Sequence, residues 1–430
     1  IYSISQATKD KLENLDQKIT ITTYNMYEYV EDFANKYATL NDNITVEKLE
    51  NLTSKQEWKT EYGLTDTSSF VAVETESKIK ILQDSDLYTY DYSTHEQIDI
   101  TEEAITNAIL DVTTNIKPKI CILTGHNLYN DGYFQYLESS LESEVNQVEY
   151  LNLLTAGSIP KDCKVLVITA LKNDIDKKEK DEILKYINNG GEILLLMDPN
   201  LGKIKTPNFQ KILDVYGVKN SEGFIMEANS SKMVSGAPSY IIASINTSSE
   251  LVKDINMGLN VCMMTAGKLT FESTDELAKK NVTLETLATV SDKAFYRTDL
   301  TSSSQTKISS DESASGATVA AMLTKTISED KISKLIVFSN TAFATNAQIQ
   351  MGMYYRYAIE FCNNEDILLN SVSYLTERED NITIRKAGET VTTYDVTENQ
   401  TKIILSIIFG IPVVIIIVGI VVWQVRRRKK

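Results

Sequence analysis

Only two histidines, His95 and His126, occur in the chain, so any mechanism that needs an imidazole has two places to look. Neither stands in an H-E-x-x-H run or at a paired His and Cys spacing, the arrangements by which neighbouring side chains close on zinc. The glycines form no G-x-x-x-x-G-K-[ST] and no G-x-G-x-x-G, the runs that bring backbone N–H groups onto a phosphate. No G-x-S-x-G or G-x-C-x-G supplies the small neighbours that a strained nucleophile elbow requires. One polar run remains. Thr124, Gly125, His126 and Asn127 close an apolar stretch, and Asp198 closes another. Open α/β sheets bind ligands at the carboxyl ends of their strands, which makes Gly125, His126, Asn127 and Asp198, with Asn340 after a late strand, the candidate ligand or partner edge. A structural role for His126 outweighs catalysis, and an Asp before Pro199 is more often a turn-former than an acid. The residues therefore read as those of a non-enzyme, with no catalytic set, cofactor or metal.

The elements that position this edge are legible in parts. Lys18 to Tyr24 reads as a strand leading into a helix over Glu28 to Leu40, with Val30, Phe33, Ala34 and Tyr37 at helical spacing. Ile44–Leu49, Phe70–Glu74 and Lys78–Leu82 read as further strands. Residues 1–115 thus form a small α/β domain of thioredoxin size. In 116–377, Lys119–Thr124, Lys164–Thr169 and Glu192–Met197 are short apolar runs of the kind buried on both faces of a parallel sheet. Helical patterns separate them, and the second begins at Asp176 and Glu179 in capping-box spacing and stops before Gly190. The expected fold class is α/β: a thioredoxin-like domain, then a doubly wound parallel sheet of flavodoxin-like type, to which Lys334–Ser339 adds a late strand. About 200–330 reads as an irregular insertion, with Thr301–Ser315 a mobile loop, and two helices are expected between Gly352 and Leu375.

Bulk numbers exclude some functions and favour a membrane anchor. Of the formal charge of −16, residues 426–430 contribute +5, leaving −21 for the rest, which repels nucleic acid. Cys121, Cys163, Cys262 and Cys362 make no disulfide framework and no C-x-x-C; each reads as a small buried apolar residue, with a pairing of Cys121 and Cys163 left open. From Ile403 to Val425 there is no charge over 23 residues, about 34 Å of helix against a hydrocarbon core of about 30 Å. A polar stalk over 378–402 precedes this expected transmembrane helix. Arg426, Arg427, Arg428, Lys429 and Lys430 follow it, and the positive-inside rule puts them in the cytoplasm and the bulk of the chain outside, in a cell-membrane protein. The chain begins at Ile1 without a signal peptide, so an upstream segment is expected.

Several segments together resemble the GldG family, extracytoplasmic auxiliary proteins of ABC transport systems first named for gliding motility. They are Tyr2 to Lys9 with Leu12, Leu15 and Ile19-Thr20-Ile21; Lys119 to His126; Ile159-Pro160 to Thr169; Tyr186 to Gly191; Leu194 to Pro199; and Asn364 to Asn370 with Tyr374-Leu375 and Arg378-Glu379. In the family, a small residue and an acid commonly follow Gly-His, where this chain has Asn127-Leu128. The late strand commonly ends Gly-Asp-Ser-Asp-Phe, where this chain has Ser339-Asn340-Thr341-Ala342-Phe343. The resemblance implies a glutamine-amidotransferase-like central fold without catalytic residues and a helix ahead of Ile1. It also implies partnership with an ABC permease and a separate cytoplasmic ATPase. A second copy or a paralogous auxiliary subunit, and the lipid bilayer, complete the expected partners. A surface hydrolase or transferase and a solute-binding receptor are the competing functions.

Overall fold

The computed structural model describes residues 3–91, 96–114, 117–252, 255, 258–351 and 354–376. The chain divides into two compact units, Ile1–Thr390 and Val391–Lys430, and all described residues belong to the first. Among them no helix is long and apolar enough to cross a membrane; the expected span 403–425 and its basic tail lie outside the described residues.

Alternating apolar residues build the first sheet. Strands β1 (Ile19–Tyr24), β2 (Ile44–Leu49), β3 (Phe70–Glu74) and β4 (Ile79–Gln83) pair in the order β2–β1–β3–β4. β1 and β2 are parallel, and β3 and β4 turn back antiparallel. Helices α1 (Gln6–Leu12), α2 (Glu28–Tyr37) and α3 (Thr101–Thr113) cover it. Leu12, Val30, Phe33, Tyr37, Ile105 and Ile109 bury their side chains against Ile19, Ile21, Val71 and Val73 in one cluster. Inside that cluster the Tyr37 hydroxyl lies 2.8 Å from Thr106 Oγ1 and 3.0 Å from the Glu102 carbonyl, so its polar end is satisfied where water is excluded.

The second sheet has nine strands. Chain order gives β5 (Lys119–Thr124), β6 (Gln147–Asn152), β7 (Cys163–Ile168), β8 (Glu192–Leu196), β9 (Tyr240–Ile245), β10 (Asn260–Met264), β11 (Val282–Thr289), β12 (Thr318–Ser328) and β13 (Lys331–Phe338). Spatial order is β10–β9–β11–β12–β13–β8–β7–β5–β6. From β13 to β6 every pairing is parallel. From β13 to β10 every pairing is antiparallel. Strand side chains alternate between faces, so Ile120, Val165 and Leu194 point to one core and Cys121, Leu166 and Ile193 to the other. Helices α4 (Gln135–Ser143) and α7 (Asn364–Leu375) close the first, and α5 (Lys177–Asn188) and α6 (Pro207–Tyr216) the second.

Two expectations need correction here. The sheet is mixed rather than wholly parallel, because 200–330 is not an irregular insertion: it supplies β9, β10, β11 and β12. The strand content is hidden because β11 (Val-Thr-Leu-Glu-Thr-Leu-Ala-Thr) buries only three of its eight residues and carries Thr where the parallel strands carry Ile and Leu. Instead of two α-helices after the late strand, a hairpin (Gln348–Met351 with Tyr354–Tyr357) and a short 3-10 turn (Ala358–Glu360) precede α7. The stretch 301–315 is a loop with one two-residue strand, Glu312–Ser313, and it is pinned from inside. Buried Arg297 sends Nε and Nη2 to the Asp311 carboxylate at 3.0 and 2.6 Å and donates to the Ser304 and Thr306 carbonyls.

Candidate functional site

The chain reverses direction across the sheet between β5 and β7, since β6 lies on one side of β5 and β7 on the other. Such a switch point opens a crevice at the carboxyl ends of the strands. Here the two loops that border it are stitched together. Leu128 N–H donates to the Ala170 carbonyl at 2.7 Å and Lys172 N–H to the His126 carbonyl at 2.8 Å, with Asn127 and Leu171 opposite each other in an antiparallel bridge. Gly125 makes the turn into this bridge with φ of +100°, a conformation costly for other residues, and an added Cβ would meet Asn152 Nδ2 at 3.3 Å.

His126 is only 7% exposed, and both ring nitrogens are engaged. Nδ1 lies 2.7 Å from Asn173 Nδ2, whose N–H donates to it, and Nε2 lies 2.8 Å from Glu179 Oε2. The ring is thus held between an amide on one side and a carboxylate on the other. Glu179 also receives the Asp176 N–H at 2.8 Å, closing the capping box that begins α5. One carboxylate therefore starts the helix and holds the imidazole. The sequence disclosed the capping box, but not that its Glu would meet the histidine of the loop after β5.

Asp198 and Asn340 form a separate group. Asp198 Oδ1 accepts the Thr341 N–H at 2.6 Å, and Oδ2 accepts the Tyr129 hydroxyl at 3.1 Å. Burial pushes the Asp198 carboxyl above the usual carboxylate range, against the lowering effect of these hydrogen bonds. Asn340 behaves as a strand residue: its amide donates to the Met264 carbonyl at 2.6 Å and its Oδ1 accepts from Phe343 N–H at 2.9 Å. Thr341, which sequence reasoning missed, joins the ends of β7 and β8, accepting from Ala170 N–H at 3.0 Å and donating to the Leu196 carbonyl at 2.6 Å. A lone Thr after a strand carries no sequence signal for such a role.

The predicted edge thus exists as two clusters. Gly125, His126 and Asn127 serve the β5–β7 bridge, while Asp198 and Asn340 tie the β8 and β13 loops to β10. The buried Thr169 Oγ1, Ser339 Oγ and Asn127 Nδ2 have no hydrogen-bond partner. His95 lies outside the described residues. Among the described residues no three His, Cys, Asp or Glu side chains converge as metal ligands would. Cys121 and Cys163 are free buried thiols on neighbouring strands, and a hydrogen bond from Cys163 together with burial pushes the Cys121 thiol up.

A family model described as "ABC-type uncharacterized transport system" matches residues 117–371. The chain belongs to that family. It is therefore an auxiliary component of an ABC-type transport system, and the matched residues run from just before β5 into α7, taking in the whole nine-stranded sheet. No curated protein matches the chain. Among solved structures, the mmIFT52 N-terminal domain is similar at 12% identity and a TM-score of 0.43, over 60% of this chain and 97% of that one. A ThuA-like protein from Parabacteroides merdae is similar at 12% identity and a TM-score of 0.40, over 65% and 96%. In this ABC-transport auxiliary chain, the carboxyl edge carries a set of ties between loops.

Proposed function

We propose that the protein is a non-catalytic accessory subunit of an ABC transporter, of the GldG type, whose folded mass lies outside the cytoplasm and binds a partner or cargo there. In this reading residues 403–425 anchor it beside the permease, residues 426–430 face the cytoplasm, and a separate ATPase supplies the energy. The observation that carries the proposal is the family match over 117–371. Two features support it. The β2–β1–β3–β4 order with its β-α-β start suits a thioredoxin-like domain beside an amidotransferase-like one, and the imidazole and carboxylates at the edge are committed to holding loops. Solubilised from native membranes, the tagged protein should bring down an ATPase and a multi-span permease; recovery of neither would remove the reading. Protease added to intact cells should digest the large portion, and protection until lysis would reverse the orientation.

The contact of His126 with Glu179 favours one second reading, a surface hydrolase or transferase. It predicts that His126→Gln abolishes a turnover that the folded wild-type protein shows.

A further inference from the structure

Five lysines gather on the rim of the candidate edge, where the chain leaves β7 and β8. Lys172, Lys177 and Lys178 lie between the end of β7 and the first turn of α5, and Lys203 and Lys205 lie in the loop from β8 into α6. All five are exposed. Asp174 ties the two segments together: its carboxylate accepts the Asn208 and Phe209 N–H groups at 2.9 and 3.0 Å, and Asn208 Nδ2 donates to the Ile175 carbonyl at 2.8 Å. Asn200 grips the second loop, accepting the Ile204 N–H at 2.7 Å and donating to the Ile204 carbonyl at 2.8 Å. Lys172 is fixed through its backbone N–H by the His126 carbonyl.

This placement works against the fold. Over residues 172–178 and 203–208 five lysines face two aspartates, a net charge of +3 in a chain of −16. Both aspartates cap helices, Asp176 the first N–H groups of α5 and Asp174 those of α6. Lys180 and Lys211 are paired with Asp181 and Asp214 at 2.9 and 3.5 Å, whereas the five have no carboxylate partner among the described residues. Lys177 and Lys178 also stand in the first turn of α5, where the helix dipole is positive and a cation is unfavourable. Like charges held together on pinned loops lower stability, so the arrangement suits an anionic partner that neutralises them. Docking on a bilayer would rest on a broad apolar face beside the cations. Within these segments Ile175 is buried, and Ile204 is the one exposed aliphatic side chain, standing between Lys203 and Lys205.

We propose that this lysine patch is the surface on which the protein receives an acidic segment of a partner protein, whose carboxylates pair with Lys172, Lys177, Lys178, Lys203 and Lys205. The ties of the candidate edge then have a second role, since they hold the cations in a fixed pattern. The inference deepens the partner-binding reading above and rests on it.

The test is fluorescence anisotropy of a labelled peptide of alternating Asp and Ser, titrated with the full chain in neutral detergent. Binding is expected, and it should weaken at least about fivefold between low and physiological salt. K177Q/K178Q and K203Q/K205Q, one pair from each loop, should each weaken it about fivefold, the size of two exposed ion pairs, without lowering Tm. K161Q/K164Q removes the same charge from two exposed lysines beside the start of β7 and should leave binding unchanged. Absence of binding to the wild-type chain would overturn the proposal. So would binding that either loop pair leaves untouched, or that K161Q/K164Q weakens equally, since only net charge would then be at work. Vesicles of phosphatidylglycerol that bind through the same lysines while the peptide does not would assign the patch to a bilayer and overturn it as well. The titration involves neither permease nor ATPase, so its failure and a failure to recover the transporter are told apart.

Discussion

Asp198 at the carboxyl edge and Asp311 in the 301–315 loop are both acids withdrawn from water, and they shift in opposite directions. Arg297 holds the Asp311 carboxyl below the usual range with two charge-assisted bonds, and the Ile308 N–H adds a third at 2.8 Å. Asp198 has no cation; its neighbours are a hydroxyl, a backbone N–H and an amide, and burial raises it. The 301–315 loop is thus organised around a full ion pair, whereas the edge where a ligand would be sought is organised by dipoles. A segment with few apolar side chains needs a charge pair to order it, and strand ends already fixed by two cores need only short hydrogen bonds.

Breaking the ion pair should have the largest effect. Arg297→Met leaves Asp311 buried and unpaired and strips two loop carbonyls of their donor, so stability to urea should fall by about 3–5 kcal/mol. A loss below about 1 kcal/mol would show that the pair does not order the loop. Next comes Glu179→Ala, which removes the capping partner of Asp176 and orphans His126 Nε2; a loss of about 1–3 kcal/mol is expected. The smallest change should be Asp198→Asn, because an amide still accepts the Thr341 N–H, and a loss under about 1.5 kcal/mol is expected by the same measurement.

The pH dependence sharpens the contrast. Asp311 has a folded pKa below its unfolded value of about 3.9, so its stabilisation is full above that pH and is lost as pH falls through the folded value. Asp198 is raised, so its contribution is full below about 3.9 and is lost as pH rises through its folded pKa. The penalty of Asp311→Asn relative to wild type should therefore shrink as pH drops toward 3, while that of Asp198→Asn should grow between neutral pH and 4. Parallel profiles from denaturant titrations at several pH values would erase the distinction.

Much of the central framework was legible because strands buried on both faces have few ways to be written. Lys119–Thr124, Lys164–Thr169 and Glu192–Met197 each fall within one residue of an observed strand end. The antiparallel half was not legible, since exposed positions and Thr residues blur the apolar signal along β11 and in the second half of β12. At the candidate site, five residues were read from strand-end position alone; in space Asn340 Nδ2 lies 3.5 Å from Asp198 Oδ1, while His126 meets Glu179.

Sequence alone determined where the apolar runs lie, where α5 begins and that the chain is acidic, because these depend on neighbours a few positions away. Tertiary structure decided which polar groups meet: His126 finds Glu179 across 53 residues and Asp198 finds Thr341 across 143. Such partners are chosen by strand order, and strand order is set by how two cores close around a sheet, which no local pattern contains.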